Sequence, residues 1–429
     1  MVARGVTGNT CSSETDCSAG LSCQLDESDP DDDGMLGATC AEDRNGHLAG
    51  QECARDADCR NGTCALGTCV DLCSIDRDCP PTMVCAGIPR VEARGAEFRG
   101  CLPERGVISW DIPVPAPSAD VLVPVPTHAV SLSMTMSVND DSQLVGANFL
   151  SSPRNVELFD RLKGYLMNPL RHRPLPIQSV LQIPSTSAVK LEPGAYSLSL
   201  SSLRPNNTVG SATPRLRATV RVGANASLRL HFHFVDLQEY PCSAQFDGGL
   251  LSAATAAASD SFQGYLTTLR GIFANAGIAI STQTYDDVAS AGLDNVTTDN
   301  ARELLALGKY RNGINVFLVR SISPGGALAL GPTPGPIGLR GGGTGVIISL
   351  ESLCYQDWSH VAHTTAFQLA KFMGLYPNRD LNGTLDPIDD SDDTSDNLMF
   401  FSSRGTSRVS PGQRAILGAS PALDGSAVQ

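Results

Sequence analysis

The stretch Phe367-Gln368-Leu369-Ala370-Lys371-Phe372-Met373-Gly374-Leu375-Tyr376-Pro377 decides how the carboxy-terminal half of this chain is read. It continues an amphipathic run that begins near Ala362-His363, and it predicts a helix ending at the turning glycine Gly374. Upstream the texture alternates. Ala253 to Ala276 reads as an alanine-rich helix with Phe262, Leu266, Leu269 and Phe273 on one stripe. Thr298 reads as a cap and Ala301 to Leu307 as a second helix, with buried strands at Ile314–Val319 and Gly345–Leu350. The glycine tract Gly335 to Gly345 has no following G-K-[ST], which argues against a phosphate-binding loop. Downstream stand Asn397-Leu398-Met399-Phe400 and, at the start of a last helix, Ser410-Pro411-Gly412-Gln413.

Laid on H-E-x-x-H-x-x-G-x-x-H, the stretch puts Phe367, Lys371 and Pro377 at the three histidine positions and Gln368 at the glutamate position; only Gly374 is kept. With Phe372-Met373-Gly374-Leu375-Tyr376 at the helix end and Met399 where a Met-turn is carried, the chain resembles a metzincin-type, pappalysin-like secreted bacterial zinc metalloprotease over roughly residues 243–423. The resemblance implies an α/β domain whose zinc ligands and general base have been lost. Zinc hydrolysis needs neutral imidazoles, an open water position and a carboxylate to take the water's proton. Phenylalanine has no lone pair, proline no side-chain donor, and lysine brings a positive charge to where a dication would sit. Glutamine cannot act as a base. No catalytic residue and no zinc are therefore expected. Lys371 can stand in for the ion's charge, paired with an acid from the Asp386 to Asp396 loop.

A rival metal site shifted one turn earlier would use His360 and His363, at i and i+3, with Cys354 ahead of them. Thr364 stands where it would need a glutamate, and Cys354 is better matched to Cys242, the other cysteine outside the amino-terminal region. The acidic run Asp386, Asp389, Asp390, Asp392, Asp393 and Asp396 is either a calcium loop or a solvated turn.

Twelve of the 14 cysteines fall between Cys11 and Cys101 in three groups of four, each with its second cysteine preceded by aspartate: Asp16-Cys17, Asp58-Cys59, Asp78-Cys79. This internal repeat predicts small modules with two disulfides each; four cysteines allow three pairings, and the sequence does not choose. A zinc cluster is the rival, but the spacings are not C-x2-C. Asp29-Pro30-Asp31-Asp32-Asp33-Gly34 opens like a calcium loop but has Cys40 at the closing position. From about Gly106 alternating runs predict a jelly-roll-like β-sandwich, closed by His231-Phe232-His233-Phe234. The expected architecture is multidomain: a cysteine-rich repeat region at 1–104, a β-sandwich at 105–240 and a degenerate metzincin-like domain at 241–429.

A net charge of −14 argues against nucleic acid or anionic membrane as partner. The cysteine pattern implies an oxidising, secreted or cell-surface location, with a leader preceding this chain, and no run is long enough for a transmembrane segment. The expected function is peptide or protein binding by an inactive protease-like cleft, with strand addition along Val346 to Leu350. The alternatives are an active zinc metallopeptidase with displaced ligands and a structural cell-surface protein.

Overall fold

The computed structural model describes residues 4–423 apart from 27–33, 92–95, 164–166, 224–226, 238–241, 243–246, 248–249, 291, 311, 324–326, 332–343, 380–393 and 401–406. Two compact units emerge: Met1–Gly164 with Arg173–Gln178 and Leu191–Ala224, and Tyr165–His172 with Ser179–Lys190 and Asn225–Gln429.

The first unit begins with the three cysteine modules, and one pairing runs through all of them: first cysteine with third, second with fourth. The bonds are Cys11–Cys23 and Cys17–Cys40, Cys53–Cys64 and Cys59–Cys69, Cys73–Cys85 and Cys79–Cys101. The repeated aspartate has a structural cause. Each sits at the end of a one-turn 3-10 helix and accepts two backbone N–H groups from the turn's start: Asp16 from Ser12 and Ser13, Asp58 from Ala54 and Arg55, Asp78 from Ser74 and Ile75. Each module then carries a hairpin: β1 (Leu21–Leu25) with β2 (Ala38–Glu42), β3 (Cys64–Ala65) with β4 (Thr68–Cys69), and β5 (Met83–Pro89) with β6 (Glu97–Pro103).

Antiparallel strands follow: β7 (Gly106–Ile112), β8 (Ser118–Val125), β9 (Ala129–Ser137), β10 (Leu144–Ser151), β11 (Glu157–Asp160), β12 (Leu175–Pro176), β13 (Gln178–Ile183), β14 (Gly194–Leu203) and β15 (Arg215–Val222). In the first unit they form one sheet ordered β11-β10-β14-β8, with β12 on β10, and a second in which β15 lies between β9 and β7. β8 carries Pro124 and is an end strand, where a missing N–H costs no ladder bond. The anticipated strand runs at Val121–Val125, Val130–Met136, Ala195–Leu200 and Ala218–Val222 all fall inside these elements.

The second unit is an α/β layer. Its sheet runs β17-β16-β19-β22-β21, from β16 (Ser227–Val235), β17 (Ala279–Val288), β19 (Ile314–Val319), β21 (Ala329–Leu330) and β22 (Val346–Ser349); β18 (Asn295–Val296) pairs with β20 (Ser321–Ile322). The first four in that order are mutually parallel, and β21 joins antiparallel at the end. Helices α1 (Asp260–Asn275), α2 (Ala301–Ala306), α3 (Trp358–Phe372) and α4 (Pro411–Ala419) complete it. Residues of β16, β19, β22, α1, α3 and α4 share one apolar core, while Val235, Phe317, Val319 and Ile347 pack a second cluster with Leu293 and Leu304.

Four local expectations change. The His231-Phe232-His233-Phe234 strand does not close the sandwich; as β16 it pairs with β17 and β19 in the α/β sheet. Val346 to Ser349 is not an edge, because β22 lies between β19 and β21. Helix α1 starts at Asp260 rather than Ala253: the Ser259 hydroxyl accepts from Phe262 N, and Asp247 fixes Ser259 and Ser261. Helix α2 begins at Ala301 after Asn300, and the capping hydroxyl is that of Thr297 rather than Thr298: Thr297 Oγ1 accepts the Asn300 N–H while Asn300 Oδ1 accepts the Thr297 N–H.

Candidate functional site

Helix α3 is started by Asp357, whose carboxylate accepts the His360 N–H at 2.9 Å. One face of the helix is core: Trp358, Val361, Ala362, Leu369 and Phe372 are buried in the apolar cluster shared with α1. The two helices are also pinned by a polar chain, in which the Tyr265 hydroxyl bonds Thr365 Oγ1 at 3.1 Å and Thr365 donates to Val361 O at 2.8 Å. The opposite face carries His360, His363, Phe367 and Lys371, all partly exposed. Phe367 and Lys371, four residues apart, share that face, with the Lys371 ammonium 5.8 Å from the Phe367 ring centroid.

Thr364 and Gln368 lie at the border of the two faces. Both are buried, and Thr364 Oγ1 and Gln368 Oε1 have no hydrogen-bond partner among the described residues. Gln368 Oε1 faces Gly331, the residue after β21, so closely that a Cβ there would come to 2.9 Å.

The helix ends in a Schellman arrangement: Leu375 N donates to Ala370 O at 3.0 Å and Gly374 N to Lys371 O at 3.1 Å. Gly374 has φ +114°, a region that favours glycine. Beyond it the Tyr376 hydroxyl donates to Arg171 O at 2.8 Å, and Asn378 N donates to Met399 O at 2.9 Å. Met399 is fully buried in the same core as Met373 and Leu375. Its N–H donates to Asn397 Oδ1, and the Asn397 and Gln413 amides bond each other reciprocally at 3.2 and 2.8 Å. Gln413 in turn belongs to the capping box with Ser410 that starts α4. The helix, its turn, the Met399 segment and α4 therefore form one connected frame.

The side chains at Phe367, Gln368, Lys371 and Pro377 do not fit zinc. An aromatic ring, an amide, an ammonium and a pyrrolidine supply no imidazole or carboxylate donor set. On the other candidate pair, His363 Nδ1 bonds the Ser359 carbonyl at 2.7 Å, and burial holds His360 below the usual imidazole range. Among the described residues, the groups of three or more close-set metal-ligand atoms are all disulfide cysteines of the modules. Cys354 is bonded to Cys242. Asp386, Asp389, Asp390, Asp392 and Asp393 lie outside the described residues, as does the Asp29 to Asp33 segment; Asp396 is described and pairs with Arg408 at 3.0 Å.

Two polar clusters lie away from helix α3. In the α/β unit, His231 is held by Thr284 Oγ1 and Asn312 O and stacks on Tyr310 at 4.0 Å, while His233 meets Asn315 Oδ1 at 2.8 Å. Because Asn315 Nδ2 donates to Tyr310 O and Thr344 O, its oxygen must accept from His233, which fixes the Nε2–H tautomer. The i, i+2 spacing in the sequence places both histidines on one polar strand face, and their partners Thr284, Asn312 and Asn315 come from distant segments. The other cluster joins Glu14, Asn61 and Asp71 between modules, through contacts that no local spacing announces.

No protein family matches this sequence, and no curated protein does. Among solved structures, the chain is similar to archaemetzincin from Methanopyrus kandleri, at 11% identity over 46% of this chain and 88% of that one, with a TM-score of 0.26. It is also similar to an acetyl xylan esterase from Butyrivibrio proteoclasticus, at 10% identity over 42% and 49%, with a TM-score of 0.14. Likenesses this faint assign no role to any residue.

Proposed function

We propose that this chain is a secreted or cell-surface, catalytically inactive metzincin-like protein that binds an extended peptide or protein segment. The observation that carries the reading is the frame around α3. The helix, the Gly374 turn and the buried Met399 segment stand in one hydrogen-bonded arrangement, while the positions that would bind zinc hold Phe367, Lys371 and Pro377. Seven disulfides support an oxidising compartment, and among the described residues no helix is long and apolar enough to cross a membrane.

Among the described residues, the end strand available for addition is β21. Ser349 N donates to Leu328 O, so in the antiparallel alternation Ala329 directs its own N–H and C=O away from β22. An extended segment laid along that edge would also pass Gly331 and the Gln368 oxygen, which has no hydrogen-bond partner among the described residues. Binding of a fluorescent peptide array tests this. Peptides should be retained uncleaved, and Ala329→Pro, which removes the outward N–H, should weaken them at least tenfold. Cleavage, or binding indifferent to Ala329→Pro, would overturn the reading.

A further inference from the structure

The three cysteine modules repeat one device with a single exception. Three residues before the second cysteine stands an acid, and its carboxylate accepts the backbone N–H of the module's third cysteine: Asp56 from Cys64 at 2.7 Å, Asp76 from Cys85 at 2.9 Å, and Glu14 from Cys23 at 3.1 Å. What faces the acid differs. Asp56 is ion-paired with Arg90. Glu14 instead faces another acid, Asp71, with the buried Asn61 between modules giving its amide hydrogens to Asp71 Oδ1 and Val70 O. Glu14 N also donates to Leu72 O, and the Asn61 side chain lies against the Glu14 carboxyl as well as against Asp71.

We propose that Glu14, Asn61 and Asp71 form an acid-tightened clasp between the first module and the segment that leads out of the second. With one proton taken from solvent, the two carboxyls coexist in a half-buried site. When that proton is released the pair becomes two like charges with little water between them, and the first module loosens. The charged groups facing the pair are Arg60, which favours ionisation of both, and Asp43, which opposes ionisation of Asp71. Arg60 does not prevail: burial and the Asp71 charge push Glu14 up to about 7, and burial also raises Asp71. A raised carboxyl stabilises the clasp at low pH, and that contribution is lost as pH rises through about 7.

The repeat supplies its own controls. Amide exchange followed by NMR on the intact chain, corrected for the base-catalysed rate, reads Cys23 against Cys64 and Cys85. Between about pH 5.5 and 8.5 the protection of Cys23 should fall by about tenfold or more while the other two hold steady. Glu14→Gln, which mimics the protonated acid, should flatten the Cys23 profile. Asp71→Asn should move its midpoint to lower pH. A Cys23 profile that tracks Cys64 and Cys85, or a fall that persists unchanged in Glu14→Gln, overturns the proposal. If Glu14→Gln does not fold, a midpoint unmoved by Asp71→Asn overturns it equally.

Discussion

The side-chain amide of Gln182 donates to the carbonyl of Met373 at 3.1 Å and fills the space that a Cβ on Gly374 would need. The turn that ends α3 is therefore constrained twice, by its positive φ and by a neighbour packed against its open side.

Gly374→Ala should destabilise the α/β unit by more than the ~1 kcal/mol of an ordinary glycine replacement, because dihedral strain and displacement of Gln182 add. Adding Gln182→Ala should recover only the second part. Urea unfolding of the two variants separates the contributions, and a neutral Gly374→Ala would show that the turn can relax.

The Cys242–Cys354 bond closes a loop of 112 residues that contains α1, β17, α2, β19 and β22. On chain entropy such a loop contributes about 4–5 kcal/mol. Replacing both cysteines by serine should lower the unfolding midpoint of the α/β unit, read by tryptophan fluorescence of Trp358, and leave the amino-terminal disulfides intact by mass mapping.

Much of this was legible in residue order because its causes are local. The Asp-Cys repeat announced the modules, and the structure shows why: that aspartate caps a one-turn helix through the two N–H groups at its start. The stripe Phe262, Leu266, Leu269 and Phe273 announced a helix with a core face, and all four are buried. The Cys242–Cys354 pairing followed from there being no other cysteine outside the modules. What the order of residues did not show depends on distant partners. Period-two alternation says which residues of β16 share a face but not which sheet holds the strand, and the partners β17 and β19 that decide it are distant in the chain. The edge status of β22 turns on a two-residue strand, Ala329–Leu330, too short to carry a pattern. The Glu14–Asp71 approach joins groups far apart in the sequence.

The two units should respond to acid in opposite directions where their buried groups differ. His172 is pushed down to about 4 by burial, with the Val180 carbonyl offsetting part of the effect, and burial lowers His231 and His233 too. A depressed histidine contributes stability that is present above pH 6.5 and lost as pH falls toward the folded value; for His172 this reaches about 3 kcal/mol. Denaturant titrations at several pH values should show the α/β unit weakening below about pH 6, less steeply in His172→Gln.

Asn397 and Gln413 are both fully buried and satisfy each other's amides while Asn397 also holds Met399 N. Asn397→Ala would strand the Gln413 amide and the Met399 N–H, at a cost of about 2–4 kcal/mol. Unfolding of Asn397→Ala beside Met399→Leu distinguishes the hydrogen bonds from packing, since the second change conserves volume and should cost under ~1.5 kcal/mol.

The register of α3 can be tested by rebuilding what it lacks. Residues 367 and 371 share one face of the helix, and the Gly374 turn redirects the chain toward Pro377 before Asn378 is tied to Met399. Phe367→His, Lys371→His and Pro377→His together should therefore create a three-nitrogen zinc site and remove the ammonium that opposes a dication. The residues around such a site do not hold the new imidazoles in place by hydrogen bonds, so affinity should fall short of a native site by about one to two orders of magnitude. Adding Gln368→Glu places a carboxylate one residue after the first ligand, where its oxygen can take a proton from metal-bound water, and weak peptidase activity becomes the expected outcome. Zinc titration under chelator competition compares the triple variant with the parent, with circular dichroism confirming that both are folded. A gain in zinc affinity of at least about a hundredfold supports the register; no gain in a folded variant places the three positions apart and removes the basis for reading α3 as an active-site helix.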